Sequence, residues 1–283
     1  MRAVDHMQNR SPPLNAMLTF PLRLAKAVLP NAVRRYASER RFFRSRGWRG
    51  LHYGVFADFA SALSFAESRC RAVRYEIDHG RWLEQHTELA THDYPALYWL
   101  SRCMEPGARI FDWGGSVGVT FILFRRVHEF PEGVQWQVCE LEQAVSAGVA
   151  FAARSGLSQL TFTSDAHMAD GAQILFTAGA IQFIEQPLAA LLGSYRQAPS
   201  HVIINRLPLT PRGHGFVTLQ NTGVSIAPCR VANDAEFISE LADLGYTLID
   251  RWKCLENSMY VAMHSDLQLH HFHGFYFRRI EQS

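Results

Sequence analysis

Cysteine is sparse in this 283-residue chain, and its pattern carries no chemistry. Cys70, Cys103, Cys139, Cys229 and Cys254 are odd in number, far apart and never in a C-x-x-C pair. A disulfide framework or a zinc knuckle is therefore excluded, and the pattern suits reduced core thiols in a cytoplasm. Long apolar runs are missing as well. The most apolar early stretch, Leu14 to Pro30, is interrupted by Pro21, Arg23 and Lys26. It is too short and too charged to span a bilayer, and no clean apolar run leads to a small-residue cleavage site. Lysine is nearly absent, with Lys26 and Lys253 the only two among 28 basic residues. No internal repeat and no low-complexity segment occurs.

What is present builds a core. Hydrophobic residues make up 48% of the chain and aromatics 12%, which excludes disordered and collagen-like classes. The net charge of +2 hides an asymmetry. Residues 1–50 carry eleven basic and two acidic residues, a net +9, and the remaining chain is at −7. A basic arm thus precedes an acidic body.

Within the arm, Leu22, Ala25, Val28 and Leu29, then Val33, Tyr36 and Phe43, recur at helical spacing, and Pro30-Asn31 divides them into two helices. Such a stripe packs on the body or on a second copy of the chain, giving a homodimer. A basic amphipathic segment also suits peripheral contact with an anionic membrane, at the inner face for a cytoplasmic protein. No nucleic-acid-binding module is recognisable. Residues 51–104 read as a helical lid or docking region, with N-caps at Asp58 and Asp93.

From Arg109 the texture changes. Short apolar runs at 109–113, 134–140, 160–164, 173–178, 201–207, 246–252 and 258–264 alternate with helical patterns at 120–128, 143–155, 187–196 and 234–244. Repeated strand and helix predict an α/β domain over 105–283 with a mostly parallel sheet covered on both faces.

The strongest site signal is Ile110-Phe111-Asp112-Trp113-Gly114-Gly115-Ser116-Val117-Gly118. A buried strand ends in an acid, enters a glycine-rich turn, and a helix follows. Three ligand classes compete for it. A dinucleotide turn wants G-x-G-x-x-G, which glycines 114, 115 and 118 do not satisfy. A hydrolase elbow wants G-x-S-x-G, which Gly114 to Gly118 does satisfy with Ser116 as nucleophile, although no HGGG-type segment precedes it. The third is a Rossmann-like S-adenosylmethionine (SAM) site of the form acid-x-G-x-G-x-G, matched at Asp112, Gly114 and Gly118 with Ser116 in place of the middle glycine. SAM carries an ammonium and a sulfonium but no phosphate, so acids suit it. Glu140 ends the next strand and can accept both ribose hydroxyls. Asp165 follows the third, and Ala178 and Gln182 lie where the methionine moiety would sit.

Beyond this turn the chain resembles a bacterial family of class I SAM-dependent methyltransferases known mostly from sequence. The resemblance rests on Gly54-Val55-Phe56-Ala57-Asp58-Phe59, Asp93-Tyr94-Pro95-Ala96-Leu97-Tyr98, the 112–118 turn, Val217-Thr218-Leu219-Gln220-Asn221, Gly245 to Trp252 and Gly274 to Arg278. It implies a seven-stranded, mostly parallel class I sheet behind an N-terminal helical region, with SAM as cofactor. Related genes accompany surface-polysaccharide synthesis, which favours a sugar hydroxyl or amine as acceptor. A non-catalytic SAM-fold partner protein remains an alternative.

On the acceptor side, Pro208 to Asn233 falls between the fifth strand and its helix, at the carboxyl edge where ligands of open α/β sheets bind. Gln220, Asn221 and Arg230 are its candidate acceptor ligands, and His214 its candidate base. His270, His271 and His273 supply too few ligands for a complete metal site, so none is assigned.

Overall fold

The computed structural model describes residues 30–45, 50–70, 88–223 and 225–280. Helix α1 (Asn31–Arg44) is followed by strand β1 (Leu51–Phe56), α2 (Phe59–Arg69) and α3 (Asp93–Cys103). Then come β2 (Arg109–Trp113), α4 (Val119–Val127), β3 (Gln135–Cys139), α5 (Glu142–Arg154), β4 (Leu160–Thr163) and β5 (Ile174–Ala178). Helix α6 (Leu188–Ser194), β6 (His201–Leu207), β7 (Leu209–Thr210), β8 (Phe216–Asn221) and β9 (Ile226–Asn233) follow. Helix α7 (Asp234–Asp243), β10 (Tyr246–Cys254), β11 (Tyr260–Ala262) and β12 (Phe272–Arg279) close the order.

The main sheet has seven strands in the order β10-β12-β6-β5-β2-β3-β4. Strands β4, β3, β2, β5 and β6 pair in parallel, and β12 pairs antiparallel with both β6 and β10. The sheet is therefore mixed, with only β12 running against the others. Its strands alternate between two cores, as period-2 side chains must. Ile110, Trp136, Phe176 and Ile203 meet Ala96, Leu100, Phe121 and Phe124 from α3 and α4. On the opposite face, Phe111, Leu175, Val202, Ile204 and Phe275 meet Leu188, Leu191, Leu192, Phe237 and Leu241 from α6 and α7.

A second sheet, in the order β11-β1-β8-β9-β7, was not anticipated. The region expected to be helical from residue 51 opens with β1, which pairs antiparallel with β8 and parallel with β11. Burial explains it: Leu51 and Tyr53 pack with Val217, Leu219, Ile226 and Ala262 against Ala62 and Ala66 of α2 and Phe42 of α1. The run expected at 258–264 contributes β11 to this sheet rather than to the main one. Asp58 caps α2 as expected, accepting from the Ser61 amide at 2.7 Å. Asp93 does not cap α3. It is the first helical residue, His92 holds the cap position, and the Asp93 carboxylate turns back to the Ala90 amide.

Of the two arm helices, the one after Pro30 is α1, which packs on the body through fully buried Phe42. The other lies outside the described residues. Among the described residues, no helix is long and apolar enough to cross a membrane.

Asn221, expected to touch an acceptor, instead ties the second sheet to α1. Its amide nitrogen donates to the carbonyls of Phe42 at 2.7 Å and Ser45 at 3.2 Å, and its oxygen accepts from the Gly223 amide at 2.8 Å. Both amide hydrogens are consumed, leaving none for a ligand. Asn221→Ala strips three partners from a buried corner and should lower unfolding stability by about 2 kcal/mol. Urea denaturation measures this, and a loss below ~0.5 kcal/mol would show that the amide does not hold α1 in place.

Candidate cofactor and acceptor site

The carboxyl ends of β2, β3 and β5 converge on the glycine turn. Each is a short apolar run flanked by helices, so the chain must leave the sheet there, and polar residues collect at that edge. Asp112, the fourth residue of β2, is fully buried. Its Oδ2 accepts from the indole nitrogen of Trp136 at 3.1 Å, and its Oδ1 has no hydrogen-bond partner. Burial pushes its pKa up to about 7, the Trp136 bond and the more distant Arg206 charge pull it down, and Glu140 adds to the rise.

The turn closes over this carboxylate. A Cβ on Gly115 would lie 2.3 Å from Asp112 Oδ2, and one on Gly114 would lie 2.1 Å from the Ala180 methyl. Gly114 and Gly118 take positive φ, and Gly118 caps α4 in the left-handed conformation. The Gly114 amide donates to the Cys139 carbonyl at 2.8 Å, and the Thr177 hydroxyl donates to the Trp113 carbonyl at 2.9 Å. The turn is thereby pinned to the strands on either side.

Ser116 stands where the motif has its middle glycine and adopts the glycine-like conformation, φ 55°. Its Oγ is buried with no hydrogen-bond partner. A nucleophilic serine needs a base within hydrogen-bond reach. Among the described residues none contacts Ser116 Oγ, so the hydrolase-elbow reading is corrected.

The expected cofactor residues largely come together. Glu140 follows β3 and is half-buried, with Oε2 accepting from the Leu141 amide at 2.8 Å. Asp165, exposed beyond β4, caps a short 3-10 turn through the His167 amide. Ala178 ends β5, and Gln182 follows with a buried, unpartnered Oε1.

The expected acceptor residues do not join them. Arg230 clamps the carbonyls of Ile184 and Glu185 and lies 5.0 Å over the Phe59 ring, fastening the loop after β5 to β9 and α2. Gln220 lies in β8 opposite His52 of β1, within the second sheet. The His214 side chain is 96% exposed on the turn between β7 and β8, 3.4 Å from Glu236. In that position it is a solvent histidine rather than a base held against a substrate. At the far end of the sheet, Arg251 donates to His273 Nδ1 at 3.1 Å and pairs with Asp234 at 2.8 Å.

Other polar residues gather at the β6 side of the edge. Asn205, buried in β6, donates to Asp93 at 2.9 Å and accepts from the Trp252 indole at 3.1 Å. His92, also buried, places Nδ1 2.9 Å from Glu256 Oε2, and its Nε2 has no hydrogen-bond partner. His92, together with Thr91, pulls the Glu256 carboxyl down to about 2. Arg206 reaches across β5, its Nη2 donating to the Ala178 carbonyl at 2.7 Å. The signal in the sequence was Asn205-Arg206, two polar residues inside the otherwise apolar run 201–207.

No family model matches this chain, and no curated protein matches it. Solved structures similar to it include a 1,6-didemethyltoxoflavin-N1-methyltransferase from Burkholderia thailandensis with bound 1,6-didemethyltoxoflavin and S-adenosylhomocysteine. It is 15% identical, with TM-score 0.49, over 79% of this chain and 89% of that one. A glycopeptide N-methyltransferase complexed with sinefungin is 12% identical, with TM-score 0.47, over 68% and 95%. A SAM-dependent methyltransferase from Aquifex aeolicus is 12% identical, with TM-score 0.45, over 72% and 100%.

The buried carboxylate has a cost that pH exposes. The folded protein holds the Asp112 proton up to about pH 7, whereas the unfolded chain releases it near ~3.9. The folded state binds more protons between these values, so this group lowers stability as pH rises through that window. Asp112→Asn removes the penalty but leaves both N–H donors of a buried amide unpaired, since its oxygen must accept from Trp136. The variant should be more stable than the parent by roughly 2 kcal/mol at pH 8 and no more stable at pH 4. Thermal unfolding at the two pH values measures this, and an equal effect at both would remove Asp112 titration as the cause.

Proposed function

We propose that this chain is a SAM-dependent methyltransferase of the class I, Rossmann-like type, acting on a small or glycan-linked acceptor. One observation carries the reading: a fully buried carboxylate with an unpartnered oxygen lies directly beneath a glycine turn at the carboxyl end of the central strand. A phosphate placed there would meet Asp112, with Glu140 close enough to raise its pKa, and would be repelled. A cationic amine would be held. The residues present therefore fit a phosphate-free cationic cofactor. The seven-stranded sheet with a single reversed strand supports the same reading.

Asp112 would hold the methionine amine, Gly114, Gly115 and Gly118 would admit the chain without Cβ obstruction, and Ser116 would line the turn. Glu140 would accept from the ribose hydroxyls, Asp165 would face the adenine, and Ala178 and Gln182 would flank the methionine end. When bound, SAM supplies an electrophilic methyl on a sulfonium, which departs as a neutral thioether. The protein's task is then alignment, exclusion of water and, for a hydroxyl acceptor, removal of one proton. His214 is too exposed for that last role. His92, buried and oriented by Glu256, suits it better: Nδ1 is held, and Nε2 makes no hydrogen bond among the described residues and lies 3.6 Å from Asp93 Oδ1.

Titration calorimetry tests the cofactor. S-adenosylhomocysteine, which shares the amine, should bind, and Asp112→Ala should weaken it at least ~10-fold. If the amine pairs with Asp112, binding at pH 6.5 drives the carboxyl proton off, and the heat should depend on the buffer's ionisation enthalpy. Near pH 8.5, where Asp112 is already ionised, that dependence should vanish. Absence of binding would sink the cofactor reading, whereas binding without proton release would sink only the Asp112 contact. A fluorophosphonate probe should leave Ser116 unlabelled.

A further inference from the structure

Arg206 is held in a way that neither the fold nor the cofactor reading requires. It follows Asn205 near the end of β6 with φ 62°, a conformation that side-chain-bearing residues adopt at a cost. Strain of this kind persists where the surroundings enforce it and clusters at ligand sites. What enforces it here is the placement of the guanidinium across the end of β5. Nη2 is anchored on the Ala178 carbonyl, and Nε is buried with no hydrogen-bond partner. Gly179 leaves the room, since a Cβ there would lie 3.2 Å from Nε. Among the described residues, no carboxylate lies within ion-pair distance of Arg206, although Asp112 is close enough to feel its charge. A half-buried guanidinium with five donors and, among the described residues, one hydrogen-bond acceptor is an incomplete arrangement.

Its position says what would complete it. The acids Asp112, Glu140 and Asp165 occupy the ends of β2, β3 and β4, on one side of the glycine turn. Strands β5 and β6 lie on the other side, and Ala178 marks the reactive end of a cofactor laid along that line. A guanidinium at Ala178 would stand beside a sulfonium, cation against cation. A neutral hydroxyl acceptor leaves that repulsion unrelieved, whereas an anionic one offsets it and satisfies the free donors.

We propose that Arg206 seats an oxyanion, carboxylate or phosphate, carried by the methyl acceptor, so that the acceptor class is anionic. This rests on the methyltransferase reading for the word acceptor, whereas the oxyanion seat itself stands on the geometry alone. Planar guanidinium and planar carboxylate, or guanidinium and phosphate, form paired charge-assisted bonds with good directionality.

The test uses the full chain labelled with 15N at arginine. The Nε–Hε resonance of Arg206 is identified as the one lost in Arg206→Lys. Acetate and inorganic phosphate are then titrated separately at constant ionic strength, balanced with chloride, first alone and then with saturating S-adenosylhomocysteine. We expect the Arg206 resonance to move saturably with at least one of the two anions, while exposed arginines drift linearly, and the shift to persist with S-adenosylhomocysteine present. Acetate alone acting points to a carboxylated acceptor, and phosphate alone to a phosphorylated one. No saturable shift with either anion overturns the seat. If S-adenosylhomocysteine itself moves the resonance and abolishes the anion effect, the guanidinium holds the cofactor's own carboxylate, and the acceptor assignment is overturned. If S-adenosylhomocysteine moves nothing in the spectrum but the anions still seat, the cofactor reading fails and the oxyanion site survives it.

Discussion

A carboxylate without solvent and, among the described residues, without a counter-ion at contact distance is the constraint around which the carboxyl edge of this sheet is arranged. Asp112 is fully buried and retains one hydrogen bond, from Trp136. Moving such a charge out of water is expensive, and the protein answers by raising the pKa rather than by supplying a partner. The glycine turn must then pass over it with no side chain at 115, where any Cβ would enter the carboxylate. Once the backbone is committed to that path, residue 116 falls in the left-handed region whether or not it is glycine. Serine accepts the strain, at a cost on the order of 1 kcal/mol. The whole arrangement is costly in isolation and sensible if a cation completes it, as is common where stability is given up for binding.

The second sheet shows how the opposite edge is braced. Arg230 in β9 holds the two carbonyls that follow the β5 loop, and Asn221 in β8 holds the end of α1. Both residues are polar, lie between the fifth strand of the parallel set and its helix, and would pass for ligand contacts in a loop. In a β-hairpin they are structural, because buried backbone carbonyls at a helix end or a loop corner must find donors. The polar groups left for chemistry at that edge are on β6 and at the start of α3, where Asn205, Asp93, His92 and Glu256 form a continuous chain of contacts.

The parallel strands were legible because they are buried on both faces. Runs such as Ile110-Phe111 and Ile174-Leu175-Phe176 are apolar without alternation and are separated by helical periods, and β2 runs from Arg109 to Trp113 as read. The second sheet was not legible, for three physical reasons. Strand β1 is six residues long, and its partner β8 lies about 165 residues further on, so nothing local announces it. Strand β9 contains Pro228, which argues against a strand in any local reading. In β8, Thr218 is buried by bonding the Tyr53 carbonyl, a satisfaction that hydropathy cannot foresee. For the site, the acids were legible as polar residues at the ends of apolar runs. Asn205 and Arg206 obey the same rule, as polar residues near the end of the apolar run 201–207.

Charge distribution across the edge follows from these placements. The +9 carried by residues 1–50 does not reach the glycine turn through α1, which packs on the second sheet through Phe42 and is tied there by Asn221. Among the described residues, the charges around the turn are Asp112, Glu140 and Asp165 on one side and Arg206 on the other. That division is a dipole along the strand ends, negative over β2 to β4 and positive over β5 and β6. A ligand pair matching it would present its cationic part to the acids and its anionic part to the guanidinium. Because Arg206 also lowers the Asp112 pKa, neutralising the guanidinium with an anion would raise that pKa and weaken the ionised form. The two halves of the site are therefore coupled electrostatically even with no residue shared between them, and occupancy of one changes the charge state offered by the other.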